Sequence, residues 1–166
     1  MRLDLHDIIG VPGTRVSFDC ETDLSDAAGG SVLSVARPAR VSGYVKNTAG
    51  VLEFSAAVDA VLICECARCL GEFERAVHHE ISATLSDDVP DADSESEHYP
   101  LDGDFVDVDE IIVTDFLLGM DERFLCREDC LGLCPNCGAD LNEGPCSCKA
   151  PIDPRLAALG QLLDNE

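Results

Sequence analysis

Six of the ten cysteines in this chain crowd into one short stretch near its C-terminal end. They are Cys126, Cys130, Cys134, Cys137, Cys146 and Cys148. Thiolates at such short spacing, on turns rich in Gly and Pro, can converge on one tetrahedral zinc ion with Zn–S distances of about 2.3 Å. A metal ion is therefore predicted to hold this part of the chain together.

The sharpest local signal in that stretch is the sequence Cys134-Pro-Asn-Cys137-Gly. Pro and Gly shape a reverse turn, called a knuckle, whose amides point at the two thiolates and stabilise their charge. A knuckle supplies two ligands, so two more are needed. The favoured site is one structural zinc ion held by Cys134, Cys137, one of Cys126 and Cys130, and one of Cys146 and Cys148.

Other metal arrangements remain open at this point. Six thiols exceed one tetrahedral site, so either two are spare or a second ion is bound with shared thiolates. Four cysteines can also hold an iron–sulfur cluster, but the spacing matches neither common ferredoxin pattern. A ligand set of thiolates without His favours a closed structural site over a hydrolytic one, which keeps a position for water.

A second cysteine motif lies upstream, in the sequence Cys64-Glu-Cys66-Ala-Arg68-Cys69. The C-x-x-C spacing suits a metal knuckle or a redox dithiol, but a redox pair usually begins a helix, and strands are predicted on both sides here. The motif could be half of a zinc site that the C-terminal cysteines complete. It could also be a rigid turn that buries two small thiols and fixes the direction of the Arg68 side chain.

The apolar pattern upstream of the C-terminal cysteines predicts strands. Val16 and Phe18 alternate with polar residues, Val51 to Ile63 follows a hairpin turn at residues 46–50, and Phe73 to Leu85 reads as a return strand. The expected fold class is α+β. It is an antiparallel β meander or partly open barrel, with a few short helices and a small Cys-rich metal-binding C-terminal segment.

Three regions follow from this reading. Residues 1–85 form a mainly β domain that carries the C-x-R-C turn, and residues 86–104 form an acidic linker predicted to be mobile. Residues 105–166 contain a short helix, the Cys-rich zinc-type knot and a C-terminal helix, and are expected to pack with 1–85 as one compact unit. Asp107 or Asp109 would cap the short helix, and Asp153 the C-terminal one.

The short helix should bury one face. Ile112, Phe116 and Leu117 are predicted to share that face. In the C-terminal helix, Pro154 would occupy the first helical position, where its missing N–H costs nothing.

The net charge of −22 limits which partners the protein can bind. A field of that sign repels phosphate backbones, so the protein is expected to be a poor general RNA binder and RNA contact would need a local basic patch. The same field would attract a basic partner. We expect a cytoplasmic protein, because the N-terminal residues do not resemble a signal peptide, no apolar run is long enough to span a membrane, and Cys-rich motifs suit a reducing compartment.

No enzyme signature is found in the rest of the sequence. The Gly10-Val-Pro-Gly13 segment lacks the spacing and the following Lys of a nucleotide-binding loop. The acidic run between residues 87 and 97 lacks the regular spacing of a calcium-binding loop. No catalytic function is expected.

Three separated motifs together resemble one known family. They are the C-x-R-C-L turn (residues 66–70), the run from Leu125 to Asn142 followed by C-x-C, and the terminal IDPRLAAL. In this order they are similar to the YceD family, the large ribosomal RNA subunit accumulation proteins. The resemblance implies a non-enzymatic factor needed for normal levels of large-subunit rRNA.

The resemblance also implies a division of roles between the two motifs. Some members of the family lack the C-terminal cysteines while keeping C-x-R-C. The first motif, with Cys66, Arg68 and Cys69, would then be a functional turn or a second site. The C-terminal cysteines would bind a metal ion that holds the chain together.

Six of the eleven cations lie in or beside the two cysteine motifs, and they are the candidates for RNA contact. They are Arg68, Arg75, Arg123, Arg127, Lys149 and Arg155. If folding joins the motifs, these side chains could form a basic face for large-subunit rRNA or an assembly precursor. The alternative is a zinc-stabilised acidic chaperone for a basic large-subunit ribosomal protein, and a redox role for Cys66 and Cys69 is a third reading.

Overall fold

The computed structural model describes residues 1–86 and 97–148. These residues form strands β1 to β8, two α-helices and one short 3-10 turn. The strands are β1 (Arg2–Asp4), β2 (Arg15–Thr22), β3 (Val32–Val35), β4 (Ala39–Thr48), β5 (Val51–Glu65), β6 (Glu72–Leu85), β7 (Glu97–Tyr99) and β8 (Phe105–Asp107). The helices are α1 (His6–Ile9) and α2 (Val108–Gly119), and the 3-10 turn is Ser25–Ala27.

The main sheet is a curled half-barrel with the order β2-β4-β5-β6-β7. The neighbours from β2 to β6 are antiparallel, and the short β7 pairs parallel with β6. Strand β5 is long enough for two partners on one side, because β4 pairs with it up to Asp59 and β3 pairs with it from Leu62. The predicted α+β meander is confirmed, with one parallel pair added.

The hydrophobic core lies on the concave face of this sheet. In β5 every even-numbered residue from Leu52 to Cys64 is buried, while the odd-numbered residues are exposed or half-buried. This alternation follows from the two-residue period of a strand. Removing a side chain such as Phe54 or Leu62 from water contributes about 2 kcal/mol each, so the core fixes the register of β5.

Helix α2 closes one side of the core. Asp107 caps it by accepting a hydrogen bond from the backbone N–H of Asp109, which confirms one of the two predicted caps. Ile112 and Phe116 are buried as predicted, but Leu117 is 37% exposed and the inward position belongs to Ile111. The prediction for Leu117 was wrong because the buried face of α2 contains Ile111, Ile112 and Phe116. Leu117 lies outside that face.

Helix α1 is held by a buried polar side chain. The Asn47 side-chain nitrogen donates hydrogen bonds to the carbonyl oxygens of Ile8 and Ile9 over 2.8 and 2.9 Å, and its oxygen accepts one from the N–H of Gly50 over 2.8 Å. Asn47 therefore ties the N-terminal segment to the β4–β5 turn.

Two predicted elements lie partly or wholly outside the described residues. The C-terminal helix is one, and residues 87–96 of the acidic linker are the other. The rest of that linker includes β7 and leads into β8. Within residues 1–86 and 97–148, no helix is long and apolar enough to cross a membrane.

Candidate metal centres

The turn between β5 and β6 presents two cysteines. The N–H of Cys66 donates to the carbonyl oxygen of Gly71, and the N–H of Leu70 donates to that of Cys66, both over 2.9 Å. Leu70 takes a left-handed conformation, with φ of 59°, so that the chain can reverse within these few residues. Cys66 and Cys69 are thereby fixed at one end of the longest hairpin of the sheet.

The segment after α2 lies against this turn. The N–H of Ala67 donates to the carbonyl oxygen of Phe124 over 2.9 Å, and the N–H of Leu133 donates to that of Arg68 over 3.1 Å. Gly132, with φ of 74°, packs directly on Arg68, since a Cβ there would lie 2.8 Å from the Arg68 carbonyl oxygen. These contacts bring the 124–133 segment onto the C-x-R-C turn.

The result is a first group of four thiols, Cys66, Cys69, Cys126 and Cys130, whose sulfur atoms all lie within 4.8 Å of one another. The Sγ–Sγ distance is 3.8 Å for Cys66–Cys130 and 3.8 Å for Cys69–Cys126. A tetrahedron of Zn–S bonds of about 2.3 Å has sulfur atoms about 3.8 Å apart, and a disulfide would need about 2.05 Å. The spacing therefore fits a tetrathiolate metal site.

A second group forms entirely within the C-terminal segment. Cys134, Cys137, Cys146 and Cys148 also lie with their sulfur atoms within 4.8 Å of one another. The knuckle is closed by two backbone hydrogen bonds, from the N–H of Gly138 to the carbonyl oxygen of Cys134 over 2.9 Å and from the N–H of Cys134 to that of Ala139 over 2.8 Å. Its left-handed glycine is Gly138, with φ of 73°.

Backbone amides favour one thiolate in each group. Burial by itself would raise the pKa of Cys66, but hydrogen bonds from the backbone amides of Cys126, Cys69 and Arg68 lower that pKa to about 6. The amides of Cys137 and Asn136 lower the pKa of Cys134 to about 6 in the same way. Each group thus contains one thiol whose backbone surroundings favour the thiolate, the form that binds a metal ion.

Asn142, which lies between Cys137 and Cys146 along the chain, contacts the loop of the first group. Its side-chain nitrogen donates toward Cys130 Sγ over 3.4 Å, while its side-chain oxygen accepts from the N–H of Leu131 over 2.8 Å and from Arg127 over 2.7 Å. Such contacts orient a metal ligand and stabilise its charge. Sequence reasoning missed this residue, although its place in the Gly-Ala-Asp-Leu-Asn run after the knuckle could have drawn attention to it.

The grouping differs from the single site favoured by the sequence. Cys126 and Cys130 lie with the upstream motif and not with the knuckle, so the mixed ligand set built around Cys134 and Cys137 is not formed. The structure instead matches the alternative in which Cys66 and Cys69 supply half of a site. None of the six C-terminal cysteines is left spare or shared: two of them join Cys66 and Cys69, and the other four form the second group, and each group could bind a metal ion.

Four of the six predicted cations lie in the described residues, and two of these four donate to protein atoms. Arg68 Nη1 donates to the carbonyl oxygens of Cys130 and Glu128 over 2.8 and 3.3 Å, and Arg127 contacts Asn142 and Asp129. Arg68, Arg75, Arg123 and Arg127 are all exposed. Lys149 and Arg155 lie outside the described residues.

Comparison with known proteins supplies the family. A family model described as "Large ribosomal RNA subunit accumulation protein YceD" matches residues 54–163, a range that contains both groups of thiols. The chain belongs to the YceD family.

Relatives of this YceD chain occur in mycobacteria. Uncharacterised proteins of Mycobacterium bovis and of two strains of Mycobacterium tuberculosis are each 32% identical to it over 112 residues, which is 66% of this chain and 54% of each relative. The chain thus spans about half the length of these relatives. No solved structure gives a significant match.

Proposed function

We propose that this YceD protein is a non-enzymatic factor that promotes accumulation of large-subunit rRNA in the cytoplasm by binding the RNA or an assembly precursor. The observation that carries the proposal is the family match, which spans the C-x-R-C turn, the C-terminal cysteines and the strands between them. The family's description names the process. The chemistry of the described residues suggests how the protein is built to take part in it.

The metal part of the proposal is two structural zinc ions, one in each group of thiols. Thiolates alone saturate a tetrahedral zinc ion and leave no position for water or substrate, so the ions would hold chain segments together and would not act on a bond. The first ion would join the β5–β6 turn to the segment after α2. The second would join the knuckle at Cys134 and Cys137 to Cys146 and Cys148.

The RNA-binding part depends on few cations. A net charge of −22 disfavours non-specific attraction to phosphate, so binding would need cations placed for one RNA surface. Arg75 and Arg123 are the described candidates beside the turn, because Arg68 and Arg127 already donate to protein atoms. We therefore assign the contact with rRNA to Arg75 and Arg123.

Crosslinked recovery of the tagged protein from growing cells tests this assignment. Sequencing of bound RNA should show enrichment of large-subunit precursor RNA over small-subunit RNA for the unaltered chain. The Arg75→Glu/Arg123→Glu variant should lose most of that enrichment. Arg40→Glu is the matched control, because Arg40 is an exposed arginine of β4 that pairs with Asp59 and lies outside both cysteine motifs.

Equal enrichment by the double variant and by the Arg40→Glu control would rule out these two arginines as the RNA contact. Absence of rRNA from every sample, with the protein folded, would remove direct RNA binding altogether.

A second candidate function is the acidic chaperone for a basic ribosomal protein. It is favoured by the internal use of Arg68 and Arg127, since exposed carboxylates of Glu72, Glu74, Glu128 and Asp129 surround the same turn. Such a surface attracts cationic chains. Mass spectrometry of the same recovered material distinguishes the two, because the chaperone would carry one basic ribosomal protein without rRNA.

A further inference from the structure

Arg68 lies in the middle of the C-x-R-C turn, yet its side chain reaches across to the other half of the first group. Its guanidinium donates to the carbonyl oxygens of Glu128 and Cys130. Both carbonyls belong to the short loop that carries Cys126 and Cys130. A charged donor bound to two carbonyls of one loop restrains that loop more strongly than a neutral donor would.

The main chain of Arg68 holds the next residues of the same loop. Its carbonyl oxygen accepts from the N–H of Leu133, and Gly132 packs against its backbone and Cβ without room for a side chain. Residues 128, 130, 132 and 133 are therefore all placed by one residue of the turn. Without these contacts, two thiols from the C-terminal segment would have to find Cys66 and Cys69 across a gap of 57 to 64 residues.

We propose that Arg68 is the positioning residue of the first metal centre: its guanidinium fixes the loop from Glu128 to Cys130 on the β5–β6 turn, so that Cys126 and Cys130 complete the ligand set begun by Cys66 and Cys69. This inference rests on the metal part of the proposed function and is independent of the rRNA part. In this proposal the arginine of the C-x-R-C motif positions metal ligands and does not contact RNA.

The charge of the side chain supports the same role. Four thiolates around one divalent cation leave a net charge of −2, and a guanidinium held beside the ligand loop offsets part of it. An arginine committed to two carbonyls also has fewer donors to offer a phosphate. The contacts of Arg68 therefore favour a role in holding the ligand loop over a role in binding an external phosphate.

Titration with Co²⁺ tests the proposal in the full chain, because thiolate-bound cobalt absorbs visible light. Each group is observed separately. Cys137→Ser/Cys148→Ser leaves only the first group intact, and Cys126→Ser/Cys130→Ser leaves only the second. Arg68→Ala, Arg68→Lys and the control Arg40→Ala are then placed in both backgrounds.

In the background that keeps the first group, Arg68→Ala should weaken Co²⁺ binding by roughly tenfold to a hundredfold, the range typical of residues that orient metal ligands. Arg68→Lys should fall between Arg68→Ala and the unaltered chain, since it keeps the charge but loses the planar group whose Nη1 donates to both carbonyl oxygens. Arg40→Ala should leave the affinity unchanged. In the background that keeps the second group, every variant should bind equally, because Arg68→Ala retains the backbone carbonyl that holds Leu133.

Unchanged Co²⁺ affinity in Arg68→Ala at the first group would overturn the proposal. Equal losses at both groups would also overturn it, because they would indicate general unfolding and not loss of positioning. Recovery of precursor RNA by the Arg68→Lys chain separates this inference from the proposed function. Weakened cobalt binding with normal RNA recovery supports the positioning role, whereas normal cobalt binding with lost RNA recovery makes Arg68 an RNA contact.

Discussion

The sulfur atoms of Cys66 and Cys130 lie 3.8 Å apart although 64 residues separate them along the chain. A metal ion bound there would close a loop that contains β6, α2 and the whole acidic region. The entropy of closing a loop grows with its length, so such a cross-link restricts the unfolded chain more than a local one does. The first group would therefore stabilise the tertiary fold, and the second group only the knuckle.

Metal content is the most direct prediction. Reduced protein purified without chelator should contain two equivalents of zinc by elemental analysis. Cys66→Ser/Cys69→Ser and Cys137→Ser/Cys148→Ser should each contain one, because the two groups share no ligand. Removal of both ions should lower the melting temperature measured by circular dichroism, and so should loss of the first group alone.

A content of one equivalent in the unaltered chain, lost entirely in either double variant, would contradict two separate sites. It would return the assignment to a single site with ligands from both groups.

Gly132→Ala should destabilise the chain far more than Gly138→Ala. Both glycines have nearly the same backbone, with φ of 74° and 73°, so both substitutions carry the same conformational cost. Only at Gly132 would the new Cβ collide, at 2.8 Å from the Arg68 carbonyl oxygen, whereas nothing lies within 4 Å at Gly138. We expect an additional loss of about 1–3 kcal/mol for Gly132→Ala from this overpacking.

Urea denaturation of the zinc-loaded protein measures that difference. Equal losses for the two variants would show that the 124–133 segment does not press against Arg68.

Asn47→Ala should weaken the attachment of the N-terminal segment. The substitution leaves the half-buried carbonyl oxygen of Ile9 without this donor, which costs about 1–3 kcal/mol, while that of Ile8 keeps a hydrogen bond from the N–H of Val11. Thr48→Ala is a suitable control, because its hydroxyl bonds the exposed Glu53 and the expected change is within about 0.5 kcal/mol. Amide hydrogen exchange should show faster exchange in α1 for Asn47→Ala alone.

His78 should titrate above its ordinary range. The hydrogen bond to Asp59, together with the charge of that carboxylate, raises the pKa of His78 from 6.5. A raised pKa in the folded state means that the pair stabilises the fold fully below the unfolded pKa, and that this contribution is lost as the pH rises through the folded pKa. In an NMR titration, Asp59→Asn should bring the pKa of His78 down toward 6.5.

His6 provides the control for that titration. Its pKa is raised by Asp104, which lies in a different part of the structure, and should not respond to Asp59→Asn. A pKa of His78 that is the same with Asp and Asn at position 59 would mean that the pair is not formed in solution.

The strands could be predicted from the sequence because their evidence is local. Alternating apolar residues mark β5 and β6, and the Asn-Thr-Ala-Gly run marks the turn that precedes Val51. The cap at Asp107 was equally visible, since an N-cap bonds an amide only two residues away. Leu117 was misplaced because the stripe that a helix buries depends on where the sheet lies, and the helix sequence does not contain that information.

The sequence by itself determined which ligand atoms are available, namely thiols in short motifs that could bind a metal ion, because ligand type follows from residue type. Only the tertiary structure decided which thiols lie together and which carbonyl oxygens Arg68 contacts. Cys126 could join Cys137 or Cys69 equally well by spacing, and the choice is made by contacts between Arg68, Gly132 and Leu133. Those contacts form because the turn of the β5–β6 hairpin lies against the segment that follows α2. The position of that turn depends on the packing of the whole sheet, which the local sequence does not contain.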